Sequence, residues 1–565
     1  MLKTRRVAVA LLFAAASRIA GAEAPGEFAR FDWFEYRGAD PIDAIATADA
    51  RHYRNPILAG FYPDPSIERV GGDYYLVNSS FAYFPGIPLF HSRDLVTWTQ
   101  SGNVIDRPGQ FAFGAIGLSR GIFAPDITYH RGVFYLVSTC IDCGGNFVLT
   151  ATDPAGPWSD PVWVDIDGID PALFFDDDGS AWILNNGPPV GTPLYDGHLA
   201  IWIQRFDERA LQPVGPRTLL VNGGVDLAAR PIWAEGPHLF RKDGWYYLIT
   251  AEGGTAEQHA EVVYRSRDVT GPYRPGPGNP ILTQRDLDPA RPQPITSAGH
   301  ADFVTTPAGD WWSVFLGARP YRDNYYNIGR ETFLLPVKWT HGWPTITRPG
   351  NAIPYLAARP DLPMQAATAM PTRGAFVIRD EFDAPALAQQ WLRIRTPDAP
   401  WHDLATEPGT LILQARPEPV GGRGQPSYVG RRLQHHSAMA QVAVRFEPMS
   451  RGDRAGIAIV QNESHFYALT LAGDAAGRVV QLEHRGGDNE PPDGVAIASA
   501  VIAPVAGQPV ELRIEARGDR LDFSYALRPG DWQLLARDVD ATVLSTRTAG
   551  GFIGATLGPY ARSGE

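Results

Sequence analysis

Short apolar runs, each opened by an acidic or polar residue and followed by a turn and an aromatic run, recur five times along the first two-thirds of the chain. The copies are Asp64-Pro65-Ser66-Ile67 before Gly71-Gly72-Asp73-Tyr74-Tyr75, Pro125-Asp126-Ile127 before Phe134-Tyr135, Asp170-Pro171-Ala172-Leu173 before Asp178-Gly179 and Trp182, Glu235-Gly236-Pro237-His238-Leu239 before Asp243-Gly244-Trp245-Tyr246-Tyr247, and His300-Ala301-Asp302-Phe303 before Gly309-Asp310-Trp311-Trp312. The second aromatic of each copy (Tyr75, Tyr135, Trp182, Tyr247, Trp312) returns every 47 to 65 residues. That period suits blades of four short strands. No long stretch places apolar residues at helical spacing, so the pattern predicts an all-β chain whose first part is a five-bladed β-propeller. The first strand of a blade lies nearest the axis, which places the acidic residues of the five copies at one mouth of the central channel. From acid to second aromatic the offsets are 11, 9, 12, 12 and 10 residues. Side chains alternate along a strand, so these unequal offsets leave open which acids point inward.

Past Leu362-Pro363-Met364-Gln365 and Pro371-Thr372-Arg373-Gly374 the aromatic repeat stops and a different pattern begins. Val442, Val444 and Phe446 alternate with Gln441, Ala443 and Arg445, and Val510, Leu512 and Ile514 alternate with Glu511, Arg513 and Glu515. Strands of this kind have one dry and one wet face, and nearly 200 residues of them predict a β-sandwich. The expected layout is a propeller over 51–362, a sandwich over 374–565 and no assigned role for 23–50.

Composition agrees with strands and turns: 58 glycines and 50 prolines accompany 15 Trp, 21 Tyr and 26 Phe. The first 22 residues carry Lys3, Arg5 and Arg6, an apolar run from Val7 to Ala16 and a small-residue site Ala20-Gly21-Ala22, the order of a secretory signal peptide. Arg18 cuts the run short of the ~20 residues a membrane span needs. That segment holds four positive charges and no negative ones, so its removal takes the net charge from −12 to −16. An exported protein, periplasmic or extracellular, is expected. Such an acidic product has no excess of Lys and Arg with which to hold nucleic acid phosphates. Cys140 and Cys143 are the only cysteines, spaced Cys-x-x-Cys at a strand end before Gly144-Gly145 rather than at a helix start. This argues against redox chemistry and for a local disulfide or two unlinked thiols. A structural zinc site wants four ligands, and two cysteines with no neighbouring histidine do not make one.

Three motifs carry the chemistry: Asn55-Pro56-Ile57-Leu58-Ala59-Gly60-Phe61-Tyr62-Pro63-Asp64-Pro65-Ser66, then Gly168-Ile169-Asp170-Pro171, then Ala234-Glu235-Gly236-Pro237-His238-Leu239. With Asn78-Ser79-Ser80-Phe81, Phe84-Pro85-Gly86, His91-Ser92-Arg93-Asp94-Leu95, Gly299-His300-Ala301-Asp302 and Gly329-Arg330-Glu331-Thr332-Phe333, they resemble glycoside hydrolase family 43. The likeness is to its branch of β-xylosidases and α-L-arabinofuranosidases, which carries a C-terminal concanavalin A-like β-sandwich. It runs over nearly the whole mature chain and implies an inverting exo-hydrolase that removes terminal pentoses from hemicellulose oligosaccharides.

The resemblance implies a catalytic triad of Asp64 as general base, Glu235 as general acid and Asp170 as the neighbour that raises and orients the acid. It implies substrate contacts from Phe81, Phe123 and Arg330, Phe123 standing where many relatives carry tryptophan. It leaves Asp126 and Asp302 as residues that order the channel. No cofactor is required. His300 occupies the place that some relatives set near a calcium ion or water cluster on the axis, and calcium's preference for oxygen makes a water-mediated contact the easier version. Asp176-Asp177-Asp178 before Gly179 fits a solvated hairpin turn better than a metal cluster. Two competing readings are a carbohydrate-binding propeller without catalysis and a retaining β-fructosidase. All three acids are present against the first, and the Asn-Asp-Pro-Asn-Gly, Arg-Asp-Pro and Glu-Cys signatures are absent against the second.

Overall fold

The structure, a computed structural model, describes residues 27–44, 49–475, 477–505 and 507–564. The expected signal peptide lies outside the described residues. Five antiparallel sheets follow one another in the chain, with first strands Ser66–Val70, Asp126–His130, Ala172–Phe175, Glu235–Lys242 and Thr296–Thr305. These first strands neighbour one another in cyclic order, so the sheets are the blades of a ring. Each first strand turns into the second at Gly71, Gly132, Gly179, Gly244 or Gly309, all with φ between 64° and 91°, where a side chain would be strained. Second strands such as Val133–Ile141 and Trp311–Ala318 are buried almost end to end. Both their faces pack on neighbouring blades, which is why they read as continuous apolar runs.

The ring closes between its two ends. The last blade has three strands, Thr296–Thr305, Trp311–Ala318 and Glu331–Pro336. The segment just before the first blade lies along the third: Ile57 N–H donates to Thr332 O at 2.9 Å and Thr332 N–H to Leu58 O at 3.2 Å. Asn55 Nδ2 donates to Leu334 O at 2.9 Å while its Oδ1 accepts Leu334 N–H at 3.0 Å. A buried asparagine thus does the work of one more ladder residue.

The sandwich consists of two eight-stranded sheets. Its alternation is visible in Val510–Arg517, where buried and half-buried residues alternate to an exposed end. Between the sheets lie Phe31, Phe34, Trp391, Val442, Leu469, Leu512 and Phe523. Two of its strands come from outside 374–565. Phe28–Gly38 sits centrally, paired with Leu411–Gln414, Ser437–Arg445 and Phe376–Asp380. Tyr83–Phe84, from within the first blade, forms the edge of the other sheet against Leu392–Ile394. Residues 28–38 therefore belong to the sandwich, and the two parts share sheets rather than merely touching.

Buried polar ties reinforce that union. Arg319 donates to Glu331 at 2.6 and 2.9 Å and to Asp40 at 2.8 Å, and Asp40 also accepts the His436 and Ser437 N–H groups. Arg432 Nε reaches Phe61 O at 2.8 Å. Cys140 and Cys143 form a disulfide. Asp176-Asp177-Asp178 lies in the hairpin turn expected, with Asp176 and Asp177 on Arg241 and Asp176 also accepting from the Tyr246 hydroxyl. Among the described residues no helix is long and apolar enough to cross a membrane.

Candidate active site

The blade register sorts the five repeated acids into two levels. Aligned on the first-strand residues Ile67, Ile127, Leu173, Leu239 and Phe303, the residue just before is Ser66, Asp126, Ala172, His238 and Asp302. Two positions further back stand Asp64, Ala124, Asp170, Gly236 and His300. The expectation of five acids at one mouth is thereby corrected. Asp126 and Asp302 sit one strand period deeper, and their shorter offsets of 9 and 10 residues were the trace of it.

The deeper level is a hydrogen-bonded arc that spans three of the five blade junctions. Asp302 Oδ2 accepts the Ile67 N–H and the Ser66 hydroxyl, both at 2.9 Å; Ser66 Oγ accepts the Ile127 N–H at 3.1 Å; Asp126 Oδ2 accepts the Leu173 N–H at 3.0 Å. Each of these bonds crosses from one blade to the next. His238 Nδ1 faces both carboxylates, 3.3 Å from Asp126 and 3.7 Å from Asp302. Burial opposes its charge, but Asp302 and Asp126 override that and push its pKa up to about 9.

At the upper level one backbone conformation repeats. Asp64, Asp170, Gly236 and His300 have φ of 52°, 53°, 56° and 51°. Left-handed geometry is costly for a residue with a Cβ, about 1–3 kcal/mol, and clusters where function demands it. Here it recurs at the same aligned position in four blades out of five. In the fourth blade the position is glycine, since a Cβ there would come within 2.7 Å of His300 Nε2, and the acid is carried one residue earlier by Glu235.

Asp64, Asp170 and Glu235 line one cavity of about 170 Å³ with Phe81, Phe123, Arg330 and His300. All three acids are buried. Asp64 Oδ2 accepts the Ser79 hydroxyl at 2.6 Å, and its Oδ1 accepts from Arg330 Nη1 at 3.1 Å. Burial raises its pKa, but the Arg330 charge, His300 and the Ser79 bond outweigh burial and hold it below the ordinary carboxylate value. Glu235 has no such partner: burial first, then the charges of Asp170 and Asp64, push it well above its usual value. Asp170 accepts the Gly236 N–H at 3.2 Å; burial and Asp64 push it up as well. One carboxylate is thus held ionised beside one carboxyl held protonated, the division of labour that acid–base catalysis by two carboxyls needs.

The sugar-sized walls are aromatic. Phe81 and Phe123 meet edge to face with centroids 5.7 Å apart. Phe552, from the sandwich, lies 5.6 Å from Phe123 and 6.3 Å from Phe81, and its carbonyl accepts from Arg330 Nη2 at 3.5 Å. Ser119 Oγ accepts the Phe552 N–H at 3.1 Å, and Ala555 N–H donates to Asn327 O at 2.7 Å, pinning this segment across the mouth. Trp233, Thr255 and Leu199 also line the cavity, with Ala124 and Ile169.

Calcium takes roughly six to eight oxygen ligands. Beside His300 the protein offers Asp64 Oδ1, 3.6 Å from Nδ1 and already held by Arg330, so an ion there would be held through water. Asp126, His238 and Asp302, whose ligand atoms lie within 4.8 Å of one another, form the one metal-sized group among the described residues, and the imidazole itself bridges the two carboxylates.

Larger cavities, of about 580 Å³ between the two domains and about 400 Å³ at the end of the sandwich, bring no set of acids together. Residues 53–344 match the sequence pattern of "Glycosyl hydrolases family 43", and residues 379–565 that of "Beta xylosidase C-terminal Concanavalin A-like domain". The chain belongs to glycosyl hydrolase family 43. This family 43 hydrolase is 38% identical over 514 residues to a xylosidase/arabinosidase of Butyrivibrio fibrisolvens, covering 90% of this chain and 95% of the relative. It is 32% identical over 514 residues to a non-reducing end alpha-L-arabinofuranosidase, BoGH43B, of Bacteroides ovatus, covering 90% and 91%. A crystal structure of a GH43_12 protein retrieved from a capybara gut metagenome superposes with a TM-score of 0.89 at 37% identity, covering 95% of this chain and all of that one.

Proposed function

We propose that this family 43 hydrolase is an inverting exo-glycosidase that removes terminal α-L-arabinofuranosyl or β-D-xylosyl residues from hemicellulose oligosaccharides. The observation that carries the reading is the opposed setting of two carboxyls in one small pocket: Asp64 hydrogen-bonded to Arg330 and Ser79, Glu235 buried beside the charges of Asp170 and Asp64. A cavity of about 170 Å³ walled by Phe81, Phe123 and Phe552 suits one terminal sugar and not a chain passing through. The names of the relatives supply both sugars.

In the proposed reaction Asp64 takes a proton from a water on the open face of the ring as its oxygen attacks C1. Glu235 gives its proton to the glycosidic oxygen as the C1–O bond breaks. The products are a free pentose of inverted configuration and a shortened oligosaccharide. Asp170 accepts the Gly236 N–H beside the acid, and its negative charge adds to burial in holding Glu235 protonated. Arg330 holds Asp64 ionised and points its remaining donors at the sugar hydroxyls. The step uses no cofactor, and a calcium ion on the axis would act on structure. Export is part of the proposal, supported by the signal-like first 22 residues and the Cys140–Cys143 disulfide.

Aryl α-L-arabinofuranosides and β-D-xylopyranosides test the activity, with the first-formed anomer read by NMR. Cleavage of at least one with inversion is expected. No hydrolysis of any pentoside overturns the reading, and retention overturns the mechanism.

A further inference from the structure

The pocket accounts for the sugar that is cut off and leaves open where the sugar that departs is held. Glu235 protonates the oxygen on the leaving side, so the leaving group must lie next to Glu235. Trp233 stands two residues before Glu235 on the same segment and lines the same cavity, partly open to solvent. Its backbone is left-handed, with φ of 53°. The segment is braced on both sides: Trp233 N–H donates to Gly197 O at 2.8 Å, and Ile232 O accepts the Gly253 N–H at 2.9 Å. Tyr195 adds its hydroxyl to Pro231 O at 2.9 Å. The bracing loops approach closely, since a Cβ on Gly197 would fall 2.9 Å from Ile232 Cβ and one on Gly254 would fall 3.0 Å from Ile232 Cδ1.

This rigid backing presents apolar surface outward. Ile232 is 38% exposed, Trp233 is half-buried, and neither belongs to any of the apolar clusters among the described residues. An aromatic ring held in a strained backbone beside a proposed acid, yet not packed into a core, is spent on a ligand rather than on stability. We propose that Trp233, flanked by Ile232, is the platform for the leaving sugar, taking the C–H face of a pyranose such as a β-linked xylose unit. The inference rests on the hydrolase reading given above.

The test compares substrates that share the cleaved pentose and differ in what leaves: xylobiose, or an arabinofuranosyl-xylobiose, against the matching pentosyl fluoride. Fluoride is too small to reach the platform. For Trp233→Ala, kcat/KM on the oligosaccharide is expected to fall about 10-fold further than on the fluoride, with Trp233→Phe recovering part of the difference. Activity on the fluoride also reports that each variant is folded. An equal fall on both substrates, or no fall, overturns the platform while leaving the hydrolase reading in place. A wild-type enzyme inert on every pentoside overturns the hydrolase reading, and the platform with it.

Discussion

Arg330 Nη1 stands 3.1 Å from Asp64 Oδ1, and both side chains are under one-tenth exposed. The two residues come from opposite ends of the propeller sequence and meet at the seam where the ring closes. Thr332, two residues after Arg330, shares backbone hydrogen bonds with Ile57 and Leu58, just upstream of Asp64. Closure of the ring is therefore also what gives the proposed base its cation.

Removing that cation should shift the acidic limb of activity. In Arg330→Ala burial prevails at Asp64, whose pKa rises, so the acidic limb of kcat/KM moves toward neutral pH. A charged hydrogen bond lost from a buried site costs about 1.5–3 kcal/mol, so kcat/KM at the optimum should fall roughly 10- to 100-fold beyond that shift. The pH–rate profile of the variant against wild type checks both effects.

The acid should reveal itself by leaving group. Glu235→Gln is expected to lose about 10²- to 10⁴-fold on an alkyl pentoside or oligosaccharide and far less on a pentosyl fluoride, which departs without protonation. Asp170→Asn removes a charge that raises Glu235, so the alkaline limb should move to lower pH. An alkaline limb unmoved in Asp170→Asn counts against the coupling of the two acids.

Phe552 brings the sandwich into the wall of the pocket. Phe552→Ala leaves the acids in place but opens one wall of the pocket, at a cost of about 1–2 kcal/mol of apolar contact. KM for an aryl pentoside should rise about 5- to 30-fold, while thermal stability changes little because the ring is only half-buried. Steady-state kinetics and a melting curve separate the two.

His238 makes stability depend on alkaline pH. Its folded pKa of about 9 lies above its unfolded value of 6.5. The imidazolium's contribution is full below pH 6.5 and is lost as pH rises through 9, amounting to about 3 kcal/mol over that span. Urea unfolding midpoints of the wild type should fall across pH 7–10 more steeply than those of His238→Gln.

The repeat, the strand character and the family motifs were legible because they are local. Gly71, Gly132, Gly179, Gly244 and Gly309 each announce a hairpin, and the alternation of Val510, Leu512 and Ile514 gives a half-wet strand away. The two levels of acids were written only in the unequal offsets, and reading them required the register of all five blades at once. Phe28–Gly38 alternates poorly, because Phe31 and Phe34 fall on either side of the register shift between Phe31 and Trp33, and its partners lie far along the chain. Phe552 carries no mark of a site in its own neighbourhood, since its role comes from a fold that brings residue 552 to residues 81 and 123. Trp233 was within reach of a sequence reading, two residues from Glu235, but an aromatic beside a strand reads first as packing.

The placement of Phe28–Gly38 bears on the order in which the molecule is made. This strand is made before the propeller, yet Glu35 pairs with Gln441, synthesised roughly 400 residues later, so its ladder bonds wait while the whole propeller is translated. The blades can close as they emerge, since each hairpin is local and the Ile57–Thr332 seam is complete well before the sandwich. The sandwich cannot be completed from its own continuous stretch, because the strand that joins Leu411–Gln414 to Ser437–Arg445 is Phe28–Gly38, from before the propeller. The topology favours an order of ring first, then completion of the sandwich by Phe28–Gly38, with Phe552 set over the mouth after the ring is closed. A chain synthesised only through the propeller would carry its acids with the pocket still unroofed, and the wall is completed by Phe552, about 220 residues beyond the Ile57–Thr332 seam.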